Sequence, residues 1–167
     1  SNTLEFTMNA LDEVMNGLAE GDFTVRMSPS VKGPLRVKVD NSIETIDSAI
    51  KEIAKSMEQL QNGNFSGRIL SEQKGALNVL KLAFNESMSS LENAMNEISD
   101  SLVSQKNGEF NKRLKGNYSG RLLQLKNTFN ESSENIEQFV SDIEGLFEHL
   151  QVGEYSSRIT NEYAGRL

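Results

Sequence analysis

The chain has 167 residues, a net charge of -7 and 37% hydrophobic residues, with two prolines, twelve glycines, and neither cysteine nor tryptophan. That length allows one globular domain or several small repeated ones, and the apolar content lines one stripe per helix better than it fills a compact core. The acidity argues against wrapping a nucleic-acid backbone, the lack of cysteine excludes disulfides, thiol catalysis and Cys-based metal sites, and no run of 18 apolar residues is present to cross a bilayer.

Ser1-Asn2 precedes no signal-peptide pattern and reads as a processing scar on an excised fragment. Leu4, Met8, Leu11, Met15 and Leu18 then predict a short opening helix. It ends at Gly21-Asp22-Phe23. A longer helical stretch follows, with Leu35, Val39, Ile43, Ile46, Ile50, Ile53, Met57 and Leu60 on one seam. After Gly63-Asn64-Phe65 comes a second, with Leu77, Leu80, Phe84, Met88, Leu91, Met95, Ile98 and Leu102. After Gly108-Glu109-Phe110 comes a third, with Leu122, Leu125, Phe129, Ser133, Ile136, Val140, Ile143, Phe147 and Leu150. Gly153-Glu154-Tyr155 closes it. Steps of three and four along each seam require helices, and the alternation by two that a strand needs is absent. Each helix is expected to run about 25 to 30 residues, a length that with so narrow a seam points to coiled-coil association.

The connectors repeat one phrase. Their first glycines, Gly21, Gly63, Gly108 and Gly153, lie 42, 45 and 45 residues apart. Three residues after each aromatic stands an arginine (Arg26, Arg68, Arg113, Arg158), and one further on an apolar residue (Met27, Ile69, Leu114, Ile159). A second glycine follows at Gly33, Gly75, Gly120 and Gly165, with Leu35, Leu77, Leu122 and Leu167 two places on. Such a period means repeated supersecondary units stacked on their neighbours.

Each first glycine sits where a left-handed residue ends a helix. The aromatic and the apolar residue four further on are expected to point inward, contributing at most about 3–6 kcal/mol per connector. An ordered connector of about 13 residues spans some 40 Å, enough to run back along a helix and start the next one parallel to it. Spacing alone leaves antiparallel pairing open. The four arginines are expected to face solvent, a hydrogen bond to connector carbonyls being the sharper alternative. Met15, Met57, Met88 and Met95 read as core filler, and His149 as a favourable charge at a helix end rather than a ligand or base. The seam steps of three, four and four at Leu77, Leu80, Phe84 and Met88 recur at Leu122, Leu125, Phe129 and Ser133, suggesting a built-in change of packing. Asn-x-Ser tripeptides at Asn64, Asn85, Asn117 and Asn130 fall within what an Asn- and Ser-rich chain yields by chance.

These features together resemble the HAMP family, the signal-relay modules of bacterial chemoreceptors, sensor histidine kinases and adenylyl cyclases. The resemblance lies in Gly63-Asn64-Phe65 with Ile69, then Leu80 and Ala83-Phe84-Asn85, and in Gly108-Glu109-Phe110 with Leu114, then Leu125 and Thr128-Phe129-Asn130. The first unit matches with Gly21-Asp22-Phe23, Met27 and Val39-Asp40-Asn41, and Gly116-Asn117-Tyr118-Ser119-Gly120 before Leu125-Lys126 resembles a variant in tandem arrays of methyl-accepting receptors. It covers the whole chain, as modules over 1–45, 46–90 and 91–135 and a half-module over 136–167. Two features depart from the family. No proline opens a module's first helix, and the Asp-Glu-x-Gly box is replaced by Val31-Lys32, Gln73-Lys74, Tyr118-Ser119 and Tyr163-Ala164 before the glycines. The first connector is also expected to be three residues shorter than the others.

The resemblance implies an all-α fold of concatenated parallel four-helix coiled-coil modules formed by a homodimer. It implies a cytoplasmic relay, free or at the inner face of the plasma membrane within a larger receptor, passing conformational change between flanking sensory and output domains of the same polypeptide. No catalytic, cofactor-binding or metal-binding residue is expected, no cofactor, no nucleic-acid partner, and no bilayer insertion by this segment. A rigid dimerisation rod, the relay of a sensor kinase and a ligand-binding sensory bundle are the competing readings; the last has little polar lining in its favour.

Overall fold

The computed structural model describes residues 2–163. Ala164, Gly165 and Leu167, which carry the fourth repeat's end, lie outside the described residues. The fold is all-α: α1 (Asn2–Ala19), α2 (Pro34–Gln61), α3 (Gly75–Lys106) and α4 (Gly120–Gln151), with no strand among the described residues. α3 and α4 are each 32 residues, slightly longer than the seams suggest, and α2 is 28. Two compact units result, Ser1–Ser89 and Ser90–Leu167.

Each helix stops by the same device. Gly21, Gly63, Gly108 and Gly153 take φ between 77° and 85°. The next residue's N–H then reaches back to a carbonyl five residues earlier: Asp22 to Gly17, Asn64 to Gln59, Glu109 to Ser104 and Glu154 to His149, each at 2.9 Å. The glycine's own N–H bonds the carbonyl three back, completing a Schellman cap that an L side chain at the glycine would strain.

In the first unit, Ala10, Val14, Met27, Val31 and Ile43 form a buried cluster joining α1, the first connector and α2. The second connector runs back along α2. Gly67 lies against Ser56, Ser71 bonds Glu52, and Gln73 donates to the Thr45 carbonyl. It also descends along α3, since Ile69 bonds Asn85 and Ser71 bonds Lys81. A connector antiparallel to both helices makes α2 and α3 parallel. The same logic holds in the second unit, where Gly116 bonds both Glu97 and Lys126, and Leu114 bonds Asn130. The antiparallel alternative is thereby removed within each unit.

The first connector is not the short one. Its two glycines stand as far apart as those of the others, and residues 20–33 separate α1 from α2 against 62–74 and 107–119 for the next pairs. The missing three residues come from the opening of α2: Met27 bonds Asp40, thirteen residues on, where Ile69 and Leu114 bond Asn85 and Asn130 sixteen on.

The inward residues are those four after the aromatic: Met27, Ile69 and Leu114 are 1–2% exposed. Phe23, Phe65 and Phe110 are only half-buried, and Tyr155 and Ile159 of the fourth repeat are exposed, at 77% and 36%. Along the seams, burial is selective. Ile43, Met88 and Ser133 are buried, while Leu80 (49%), Leu102 (51%), Leu125 (43%) and Phe147 (61%) stay exposed. Of the methionines expected as core filler, Met88 is buried, and Met15, Met57 and Met95 are not.

Candidate functional site

The side chains that repeat with defined geometry all grip the connectors. The repeated arginine bonds connector carbonyls in all four repeats, the alternative to a purely solvent-facing role, while Arg26 and Arg158 also stay exposed. Arg26 donates from Nη1 to the carbonyls of Phe23 (3.0 Å) and Val25 (2.7 Å), and Arg68 to those of Phe65 and Gly67 (both 2.8 Å). Arg113 does so to Phe110 (2.6 Å) and Lys112 (3.1 Å), and Arg158 to Tyr155 (3.2 Å) and Ser157 (2.8 Å). A planar guanidinium suits this, because one nitrogen can bridge two carbonyls while the other pairs outward. Arg26 also pairs with Glu44, and Arg113 with Glu137.

The second helix of each pair holds the buried apolar residue by its backbone. Asn85 accepts from the Ile69 N–H (2.8 Å) and donates to its carbonyl (3.0 Å). Asn130 treats Leu114 the same way, at 2.8 and 3.1 Å. The amide thus imitates a strand neighbour, satisfying both polar groups of a residue whose side chain is buried. In the first repeat Asp40, rather than Asn41, holds this place; it accepts from the Met27 N–H (2.8 Å). As a carboxylate it has no proton to give the carbonyl.

A cation four residues earlier on that helix caps the connector further along. Lys81 Nζ donates to the Ser71 carbonyl (2.8 Å), Lys126 to that of Gly116 (2.9 Å), and Arg36 to that of Pro29 (3.1 Å).

The first helix supplies a carboxylate that periodicity arguments about apolar residues overlook. Glu52, Glu97 and Asp142 lie 45 residues apart. Glu52 accepts from the Leu70 and Ser71 N–H groups (3.1 Å each) and from the Ser71 hydroxyl (2.7 Å). Glu97 accepts from the Lys115 and Gly116 N–H groups (3.1 Å each) and from the Tyr118 hydroxyl (2.9 Å). Asp142 accepts from the Asn161 side chain (2.8 Å) and the Tyr163 hydroxyl. Tyr163 also sets its ring edge-on to Phe139.

Partial burial opposes ionisation of Glu52, yet the bonds from the Ser71 hydroxyl, the Ser71 and Leu70 amides and the Lys81 charge outweigh it and lower its pKa. Glu97 behaves likewise, the donors being Gly116, Tyr118 and Lys115 with the charge of Lys126. In return, burial and the Glu97 carboxylate push the Tyr118 phenol up to about 12.

Two residues before each second glycine stand Val31, Gln73, Tyr118 and Tyr163, and the first three are buried. Gln73 donates to the Thr45 carbonyl and the Ser71 hydroxyl, leaving its buried Oε1 without a partner. Ser133, wholly buried in the seam, accepts from Gln105 (2.8 Å). His149 pairs with Glu154 across the end of α4.

Among the described residues, no cluster of three or more His, Cys, Asp or Glu side chains could hold a metal ion, and no helix is long and apolar enough to cross a membrane. What the arrangement can do is mechanical: it fixes an extended segment between two parallel helices. Comparison with family models, curated proteins and solved structures gave no match.

Proposed function

We propose that the chain is a series of HAMP-like relay modules that work as a parallel homodimer between sensory and output domains of one polypeptide, on the cytoplasmic side. In this reading it has no catalysis, cofactor or metal of its own. One observation carries the proposal. Seam residues divide into a set buried within the chain, Ile43, Met88 and Ser133, and an exposed set, Leu80, Met95, Leu102, Leu125 and Phe147 among them, spaced along the same helices. A second chain running the same way would cover that exposed stripe and turn each helix pair into a four-helix bundle. The clamp adds support, because it fixes the parallel pairing that such a bundle needs. Tyr118 and Gln73 stand where the family carries a connector glutamate, and in this chain a carboxylate reaches the connector from the facing helix, as Glu97 and Glu52.

Two packings of the bundle, differing in helix rotation or offset, would be passed along the continuous helices in discrete steps. A second reading is a rigid dimeric spacer. The tying of connectors 62–74 and 107–119 to both of their helices favours it. Cysteines at Ile46 or Leu91, crosslinked in receptors held active or silent, separate the two: a relay gives state-dependent yields, a spacer identical ones. A parallel homodimer is required by both, so a monomeric mass in dilute solution defeats both.

A further inference from the structure

We infer that the first module is a slip joint, in which α1 moves against a connector fixed to α2, while the connectors 62–74 and 107–119 move as one piece with both of their helices. The inference rests on the relay reading and adds where in the array the motion is taken up. It comes from aligning the clamps. The cation clamp is present three times, as Arg36, Lys81 and Lys126 on the carbonyls of Pro29, Ser71 and Gly116. The Asn clamp is present three times, with Asp40 as its weaker form. The carboxylate latch to the first helix fails only in the first module, and it fails on both sides at once. Where the later modules have Glu52 and Glu97, α1 has Ala10. Where Ser71 and Gly116 present the N–H that the latch binds, the first connector has Pro29, which has none.

What holds α1 to its connector is apolar. Ala10, Val14, Met27 and Val31 are buried together, and among the described residues no side-chain hydrogen bond or ion pair joins α1 to residues 23–33. Apolar contact is non-directional and survives a small rotation or slide, whereas a hydrogen bond is lost once donor and acceptor separate past its narrow range. The lower end stays fixed. The Schellman cap binds Asp22 to Gly17, and Gly17 lies so close to Val25 that a Cβ there would overlap it. α1 therefore pivots near Gly17, and at Ala10 it is held by apolar contact alone.

The chain has no cysteine, so spin labels can be placed in pairs at equivalent exposed positions of the intact chain: Glu13 with Ser30, Lys55 with Glu72, and Asp100 with Asn117. Each labelled chain is diluted into excess unlabelled chain so that only distances within one chain are read. The Glu13/Ser30 distribution is expected to be broader than the other two by about twofold. Installing the latch with Ala10→Glu and Pro29→Ser narrows it, and Glu52→Gln broadens the Lys55/Glu72 pair. Equal widths in the parent chain overturn the inference, and so does a Lys55/Glu72 width indifferent to Glu52→Gln, even if the double variant does not fold. The mass of the same samples tests the relay reading separately. A monomer with unequal widths defeats the dimeric relay and keeps the slip joint; a dimer with equal widths does the reverse.

Discussion

Asn130 and Glu97 reach the connector 107–119 from opposite sides, and they differ in what their loss removes. Asn130→Asp keeps the acceptor for the Leu114 N–H and removes the donor to its carbonyl, reproducing the situation of Asp40 in the first repeat. A part-buried carbonyl left without its donor costs about 1 kcal/mol, and the loss is read as a lower urea midpoint with unchanged slope. At Glu97 the effect depends on pH. Its pKa is lower in the folded chain than the ordinary 4.5, so its contribution is fully present above that value and is lost as pH falls through the depressed one. Stability followed from neutrality to acid is expected to fall less steeply in Glu97→Gln than in the parent. Tyr118 has the opposite sign. Its raised pKa means that its contribution is intact below pH 10 and disappears as pH climbs through about 12. Glu97→Gln removes the charge and acceptor that add to burial there, so absorbance titration should place the Tyr118 phenol lower.

At the scale of elements, the helices and their stops are legible because each depends on local rules: seams at steps of three and four, and a glycine where the chain must turn left-handed. Gly108→Ala tests the second rule. It leaves open space around the new Cβ but forces φ of 83° on an L residue, so about 1 kcal/mol of stability should be lost although nothing clashes. Gly116→Ala differs in kind. The Cβ would run into the Tyr118 ring, which folds over Gly116 to reach Glu97, so the latch itself should loosen and amide exchange at Lys115 should rise. The clamp is less legible. Asn85 and Asn130 stand out as polar residues directly beside seam aromatics, and their recurrence is visible in the sequence. Glu52, Glu97 and Asp142 are three acidic residues among twenty-four, and their common role depends on a connector that returns along its own helix. The arginines were visible by spacing, but the carbonyls they bind are brought within reach only by the fold of the connector. The three-residue deficit of the first repeat shows the limit of spacing: glycine intervals reveal its size, and the Met27–Asp40 bond locates it in the opening of α2.

At the scale of the whole molecule, the proposed dimer makes stability a question of concentration. Leu80, Leu102, Leu125 and Phe147 are spread over helices that also bury Met88 and Ser133, so each helix carries an inner line that is satisfied within the chain and an outer line that is not. Covering the outer line by a second chain links folding to association, and any partner that binds only the folded form raises the melting temperature with concentration. A tenfold dilution should therefore lower the melting temperature measurably, and Leu80→Gln with Leu125→Gln should weaken association while changing the intrachain clamp little, since both side chains are exposed and the clamp bonds are made by Asn85, Lys81 and Glu97. Met88→Gln provides the contrast. It introduces an amide at a position already buried within one chain, where an unpaired polar group costs about 1–3 kcal/mol, so it should destabilise at every concentration. Sedimentation equilibrium and thermal scans across a dilution series separate the two patterns. A melting temperature independent of concentration, together with a mass of 18.6 kDa, would mean that the outer line needs no partner and that the paired-chain architecture is wrong.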